Sequence, residues 1–202
     1  MMKETIDYIP DGVIKIADGK RGDIGSTSRA YAEALFDRYG FDAATVNPYL
    51  GLEALEPFLK YEDCGVLILC RTSNPGAREF QDLECGGRPL YLRVAEAAVR
   101  WSERFGSLGL VVGATWPEEL KRIRELVGDE MPLLIPGVGK QAGDLERAVK
   151  YGTNSQGELA VINSSREVIF ASTEEDFAAA ARAAALELRD EIERCRSGAP
   201  PR

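Results

Sequence analysis

The 202-residue chain contains no histidine. That absence removes the side chain most often used as a general base near neutral pH and as a metal ligand. It excludes a Ser-His-Asp triad and any imidazole-based zinc site. No stretch approaches the roughly 20 apolar residues that a transmembrane helix needs, so no membrane partner is expected. The start, MMKETIDYIPDG, lacks the basic-then-apolar order of a secretory signal. The four cysteines (Cys64, Cys70, Cys85 and Cys195) form no Cys-x-x-Cys pair and no zinc-like spacing. A reduced, cytoplasmic protein is the expectation. Positive charge is also scarce: 25 Lys+Arg face 33 Asp+Glu, a net charge of −8. A nucleic-acid binder needs a cationic footprint, so nucleic acid is not expected as a partner. A few local donors can still hold a phosphate on an acidic surface.

With 45% hydrophobic and 29% charged residues, the composition suits a globular chain with one sizeable core. Six short apolar runs read as strands: Val13–Asp18, Ala43–Asn47, Gly65–Cys70, Leu108–Ala114, Pro132–Pro136 and Leu159–Asn163. Their consecutive Val, Ile and Leu residues suit parallel strands covered on both faces. Helical patterns lie between them at Ser26–Tyr39, Pro89–Phe105, Pro117–Val127 and Ala142–Tyr151, and a long alanine-rich helix follows at Glu174–Arg196. Gly40, Gly106 and Gly128 stand just past their helices and Pro117 suits a first helical turn, as helix ends require. Strand starts recur every 22 to 43 residues, the rhythm of β–α units. One α/β domain over residues 1–196 is expected, with a disordered tail at 197–202. Strand number alone favours an open doubly wound sheet over a TIM barrel, which needs eight strands and about 250 residues.

The densest chemistry lies in VIKIADGKRGDIGST, where Asp18, Lys20 and Asp23 fall within six residues at a strand's exit. With a side-chain period of two, Asp18 and Lys20 point to one side and Lys15 to the other. Spacing alone leaves two readings open. One is a solvated βα turn carrying a surface ion pair. The other is a charge network at the mouth of a parallel sheet, where α/β active sites lie and where an ammonium can meet developing negative charge.

The segments DGKRGDIGST, VNPYLG, RTSNPG, VVGAT and PGVGKQAGD, in this order, resemble the orotidine 5′-phosphate decarboxylase family. The likeness runs from about residue 10 to residue 170 and is strongest for the branch carrying Asp-x-Lys-Arg-Gly-Asp-Ile-Gly-Ser-Thr. It implies a TIM (β/α)8-type barrel, a homodimer with shared active sites, and conversion of orotidine 5′-monophosphate to UMP and CO2 without metal or organic cofactor. By match to the motif, Asp18 would sit beside the substrate carboxylate and Lys20 would protonate C6. Asp23 would reach into the partner's site, and Thr27 would contact the ribose there. Ser73 matches the serine that bonds the pyrimidine, although Thr72-Ser73-Asn74-Pro75-Gly76 is also simply a good turn. Gln141 and Arg166 would hold the phosphate, in keeping with the barrel habit of binding phosphate at its last two loops.

The glycine-rich stretch Pro136–Gln141 is not a Walker loop, because Gln141 stands where Ser or Thr should follow the lysine. Asn163-Ser164-Ser165 is a glycosylation sequon without a secretory signal. Trp101 and Trp116 read as packing residues, and Glu187–Arg196 as a solvated helix face.

One departure stands out. The Asp18 strand is the family's third, yet only about a dozen residues precede it. The family's first-strand aspartate and second-strand lysine are therefore missing, and strand parity keeps Lys15 from replacing that lysine. The expectation is a barrel N-terminally shortened to about six β–α units, with two exposed sheet edges. A partner chain filling the gap is the other explanation. Two further functions stay open: a magnesium-dependent sugar-phosphate decarboxylase sharing Asp-x-Lys-x-x-Asp, and a shortened chain that binds nucleotides without turnover.

Overall fold

The apolar runs become strands, and the charged residues behind the first run prove to be strand residues too. The computed structural model describes residues 2–138 and 142–198. In chain order the elements are α1 (Met2–Tyr8), β1 (Ile16–Arg21), α2 (Gly25–Glu33), β2 (Ala43–Val46), α3 (Leu52–Leu59), β3 (Gly65–Arg71), α4 (Arg78–Gln81) and α5 (Leu90–Ser102). Then come β4 (Leu108–Val112), α6 (Pro117–Val127), β5 (Leu133–Pro136), α7 (Ala142–Gly152), β6 (Ala160–Asn163), α8 (Arg166–Ile169) and α9 (Phe177–Ser197). Sheet order equals chain order, from β1 to β6, and the β1/β2, β2/β3 and β5/β6 pairings are parallel. Every residue of β2 and β4 is buried, as strands covered on both faces should be. By contrast, Val161 of β6 is 44% exposed.

By internal contacts the chain divides into two compact units, Met1–Cys70 with Phe80–Val111, and Arg71–Glu79 with Val112–Arg202. The first is built on β1, β2 and β3 with α2 and α3 packed together. Its core includes Ala32, Ala44, Val46, Leu55, Phe58, Val66 and Ile68, all buried. Helix α3, which is not among the sequence expectations, holds Pro57 in its interior. Proline inside a helix removes a backbone donor, but the apolar face of Ala54, Leu55, Phe58 and Leu59 is fully packed, and that burial outweighs the lost bond.

The helix expected over Ser26–Tyr39 is α-helical only to Glu33 and continues as a π-helical turn over Ala34–Arg38. This turn carries Leu35 and Phe36 into the core, where Phe36 meets Phe58 edge-on at 6.2 Å and Tyr61 at 4.9 Å. The Tyr61 hydroxyl donates to Asp37 Oδ2 at 2.7 Å. Burial and the Asp37 carboxylate push its pKa up to about 12.

The second unit holds β5 and β6 with α6, α7, α8 and α9, and α9 packs on α7 and α8. Leu120, Ile123, Leu133, Ile135, Ala148 and Val149 form its core. Among them lies Arg124, only 8% exposed. Its guanidinium donates to the carbonyls of Gly128, Met131, Gly152 and Leu159. Burial lowers the Arg124 pKa, and Asp129 opposes the shift. Ser197 ends α9, Gly198 follows at φ +67°, and the remainder of the tail lies outside the described residues.

Strand β1 is the main correction to the sequence reading. It spans Ile16–Arg21 rather than Val13–Asp18; Val13 and Ile14, 51% and 74% exposed, precede it. Pairing decides this, not hydrophobicity. Ile16 and Ala17 register with Ala43 and Ala44, and the strand stays paired through Arg21 opposite Val46.

Candidate active site

Between those paired positions β1 is bulged. Ala17 faces Ala44 and Arg21 faces Val46, so Asp18, Gly19 and Lys20 all lie opposite Thr45 alone. Extra residues on one strand bend it and re-aim its side chains. Lys20 takes up the bend in the left-handed region, at φ +47°. Its Nζ reaches Asp18 Oδ1 at 2.7 Å, with the two side chains 48% and 55% exposed. Thr45 Oγ1 accepts the Lys20 N–H at 2.9 Å and donates to the same Asp18 Oδ1 at 3.0 Å.

Asp18 and Lys20 therefore do meet, but through a bulge rather than by regular alternation. An ion pair this exposed contributes roughly 0–1 kcal/mol, and a left-handed lysine costs on the order of 1–2 kcal/mol. The arrangement does not pay for itself in stability, which points to a chemical use. Lys15 precedes the strand, and its backbone N–H donates to Asp42 Oδ2 at 2.6 Å.

The chain leaves β1 tightly against the end of β2. A Cβ on Gly22 would lie 3.2 Å from Asn47 Cβ, and Asn47 N–H donates to Arg21 O at 2.8 Å. Asp23 is half-buried and accepts the Ile24 N–H on Oδ1 at 2.8 Å. Thr27 is exposed in the first turn of α2.

Ser73 belongs to the second unit and is half-buried. Its turn is held from several sides. Trp116 Nε1 donates to Thr72 O at 2.9 Å and Thr115 Oγ1 to Ser73 O at 3.2 Å. Gly113 N–H donates to Arg71 O at 2.7 Å, and the Trp116 ring carries the Arg71 and Arg78 guanidinium carbons at 4.3 and 4.5 Å. A Cβ on Gly113 would come within 2.8 Å of the Ser73 N, Cα and Cβ. Gly137, at φ +84°, faces the Ser73 hydroxyl, with an added Cβ at 3.4 Å from Oγ. Gly113→Ala must therefore displace backbone. It is expected to cost about 1–3 kcal/mol in urea unfolding; an unchanged midpoint would show that the turn gives way freely.

Arg166 opens α8, three residues past β6, and is exposed. Gln141 lies outside the described residues. Of the candidate residues in the first unit, the structure joins Asp18 and Lys20 directly. Among the described residues, no group of three or more Cys, Asp or Glu side chains is gathered as a metal site, and no helix is long and apolar enough to cross a membrane.

The sequence reading does not single out Thr45 beside Asp18 and Lys20 in the first unit, nor Gly113 and Trp116 beside the Ser73 turn in the second. Thr45 did leave a signal: a hydroxyl inside the otherwise apolar strand Ala43–Val46 must find a partner once buried. Nothing in the spacing distinguishes Gly113 from an ordinary strand-end glycine.

The profile of the Orotidine 5′-phosphate decarboxylase / HUMPS family matches residues 3–184. The chain belongs to this family. Within the decarboxylase family it is 53% identical over 201 residues to the orotidine 5′-phosphate decarboxylase of Cupriavidus necator, a match covering 98% of this chain and 73% of that one. Among solved structures it is similar to the OMP decarboxylase of Leishmania donovani, with a TM-score of 0.86 and 38% identity over 97% of this chain and 73% of that one. The UMP synthase of the same organism superposes with a TM-score of 0.86 and 40% identity, covering 96% of this chain and 42% of the larger one. The architecture is that of an α/β protein of the decarboxylase family's TIM-barrel class, with six parallel strands here. Nothing in these relatives favours the magnesium-dependent sugar-phosphate alternative.

Proposed function

We propose that this chain is a carboxy-lyase converting orotidine 5′-monophosphate to UMP and CO2, the decarboxylation step of pyrimidine nucleotide synthesis. The observation that carries the reading is the Lys20 ammonium, held 2.7 Å from Asp18 on a bulged strand, in a family member that is 53% identical to a named decarboxylase. The C6–carboxylate bond breaks, CO2 departs, and the electron pair stays on C6. A fixed ammonium stabilises that developing charge more than it stabilises the ground state. Lys20 then gives its proton to C6 and regains one from solvent. No metal or organic cofactor enters this scheme. Asp18 lies beside the substrate carboxylate and orients Lys20.

The remaining roles follow the family motif. Ser73 bonds the pyrimidine, Gln141 and Arg166 hold the phosphate, and Asp23 with Thr27 serves the site of a second copy in a homodimer. The exposed apolar residues Ile24, Tyr49 and Leu50, 61%, 84% and 49% accessible on the loops after β1 and β2, support an interface at that point. The family match spans both compact units, which supports treating residues 1–196 as one functional domain. A cytoplasmic setting suits a pathway of this kind.

Ultraviolet-monitored turnover of orotidine 5′-monophosphate by the purified chain, without added metal, tests the reaction. Turnover that needed magnesium and a sugar phosphate would favour the sugar-phosphate decarboxylase. A folded chain that binds UMP but turns nothing over would favour the binding-only alternative. The shared site has its own check. Asp23→Ala and Lys20→Ala subunits are each expected to be inactive alone and to regain activity on mixing, because one site of a mixed dimer then has both groups intact. Verified mixed dimers without activity would remove the shared-site assignment.

A further inference from the structure

We infer that Thr45 is a positioning residue of the decarboxylation site: its hydroxyl holds both Asp18 and the Lys20 backbone in their working geometry. The inference rests on the reading of Lys20 as the proton donor. Thr45 is the single β2 residue opposite the three bulged residues of β1, and it is fully buried. In a regular parallel pair the Lys20 N–H would find a carbonyl on β2. Here it finds a side chain, Thr45 Oγ1, at 2.9 Å.

The hydroxyl can accept and donate at once, and it uses both capacities on one ion pair. It takes the Lys20 N–H, which pins the lysine's backbone at φ +47°. It donates a hydrogen bond to Asp18 Oδ1, the atom that also accepts from Lys20 Nζ. Both members of the pair are exposed by about half, so water competes for them and packing alone does not fix their rotamers. The buried hydroxyl is the rigid point from which both are set. A misplacement of a reacting group by about 1 Å can cost on the order of 100-fold in rate, so this anchor matters to the chemical step more than to the fold.

Thr45→Val and Thr45→Ser separate that role from simple packing. Valine keeps the shape and strand preference but lacks the hydroxyl; serine keeps the hydroxyl. Thr45→Val is expected to lower kcat for orotidine 5′-monophosphate by about 10- to 100-fold, with KM changed by less than about threefold. Thr45→Ser is expected to recover most of that loss. In native-state exchange, Thr45→Val should also speed exchange of the Lys20 amide by at least about tenfold, while the β2 amides hold their protection. Retained kcat in Thr45→Val, a serine variant as impaired as the valine one, or loss of protection along all of β2 would each overturn the proposal. Should the unsubstituted chain itself show no turnover, the reading of the site as a decarboxylase fails. The Lys20 amide then decides alone: faster exchange in Thr45→Val supports the anchoring role, and unchanged exchange refutes it.

Discussion

Replacing Lys20 with alanine is expected to lower turnover of orotidine 5′-monophosphate by at least about four orders of magnitude. Two contributions vanish together. A positioned proton donor gives typically about 10²–10⁴-fold, and a fixed charge facing developing negative charge gives a further 10²–10³-fold or so. The fold should hardly notice. The Lys20–Asp18 pair is exposed on both sides, with 48% and 55% of the side-chain surfaces accessible, so its removal costs roughly 0–1 kcal/mol. Binding of UMP should stay within a few-fold, because the proposed phosphate ligands are other residues, among them Arg166 at the start of α8. The measurements are kcat under saturating substrate, UMP affinity by titration, and the urea midpoint. A variant that kept more than a few per cent of the rate would end the assignment of Lys20 as proton donor. A variant that lost UMP binding in parallel would make Lys20 a binding group rather than an acid.

The second large effect concerns stability. Arg124→Ala is expected to destabilise the chain by about 3–5 kcal/mol. Arg124 lies on the inward face of α6, beside Leu120 and Ile123. Its five-donor fork meets carbonyls at the end of α6 (Gly128), at the approach to β5 (Met131), at the end of α7 (Gly152) and at the approach to β6 (Leu159). A cation also suits the negative ends of two helices. Without it those carbonyls lose their donor in a buried setting, and each such loss costs about 1–3 kcal/mol before water compensates. Arg124→Lys should recover only part of the loss, because an ammonium has three donors and no planar fork. Urea unfolding at constant m-value reads the effect, and a shift below about 1 kcal/mol for Arg124→Ala would show that solvent replaces the guanidinium.

Lysine and arginine thus illustrate what spacing does and does not reveal. Lys20 was legible because it sits in DGKRGDIGST, a charged motif directly behind an apolar run. Arg124 was not, because in PEELKRIRELV it is one of several charged residues on an amphipathic helix. Only the neighbouring carbonyls, up to 35 residues away in sequence at Leu159, reveal that it faces inward. Trp116 read as a packing residue, and it does pack, against Arg71 and Arg78. Its bond to Thr72 O, 44 residues away, is what ties it to the Ser73 turn. Long-range partners of this kind leave no local trace.

The sequence by itself determined the α/β class, the six strands to within a few residues, the family, and the grouping of Asp18, Lys20 and Asp23 within one charged motif. These follow from hydrophobic periodicity and local composition, which act over a few residues along the chain. The tertiary structure alone decided that β1 runs on through Lys20, that three of its residues stand opposite Thr45, and that lysine occupies a left-handed conformation there. It also decided that Gly113 leaves room for Ser73. Strand register and close approach depend on which partner lies across the sheet, and a chain read in one dimension does not carry that information.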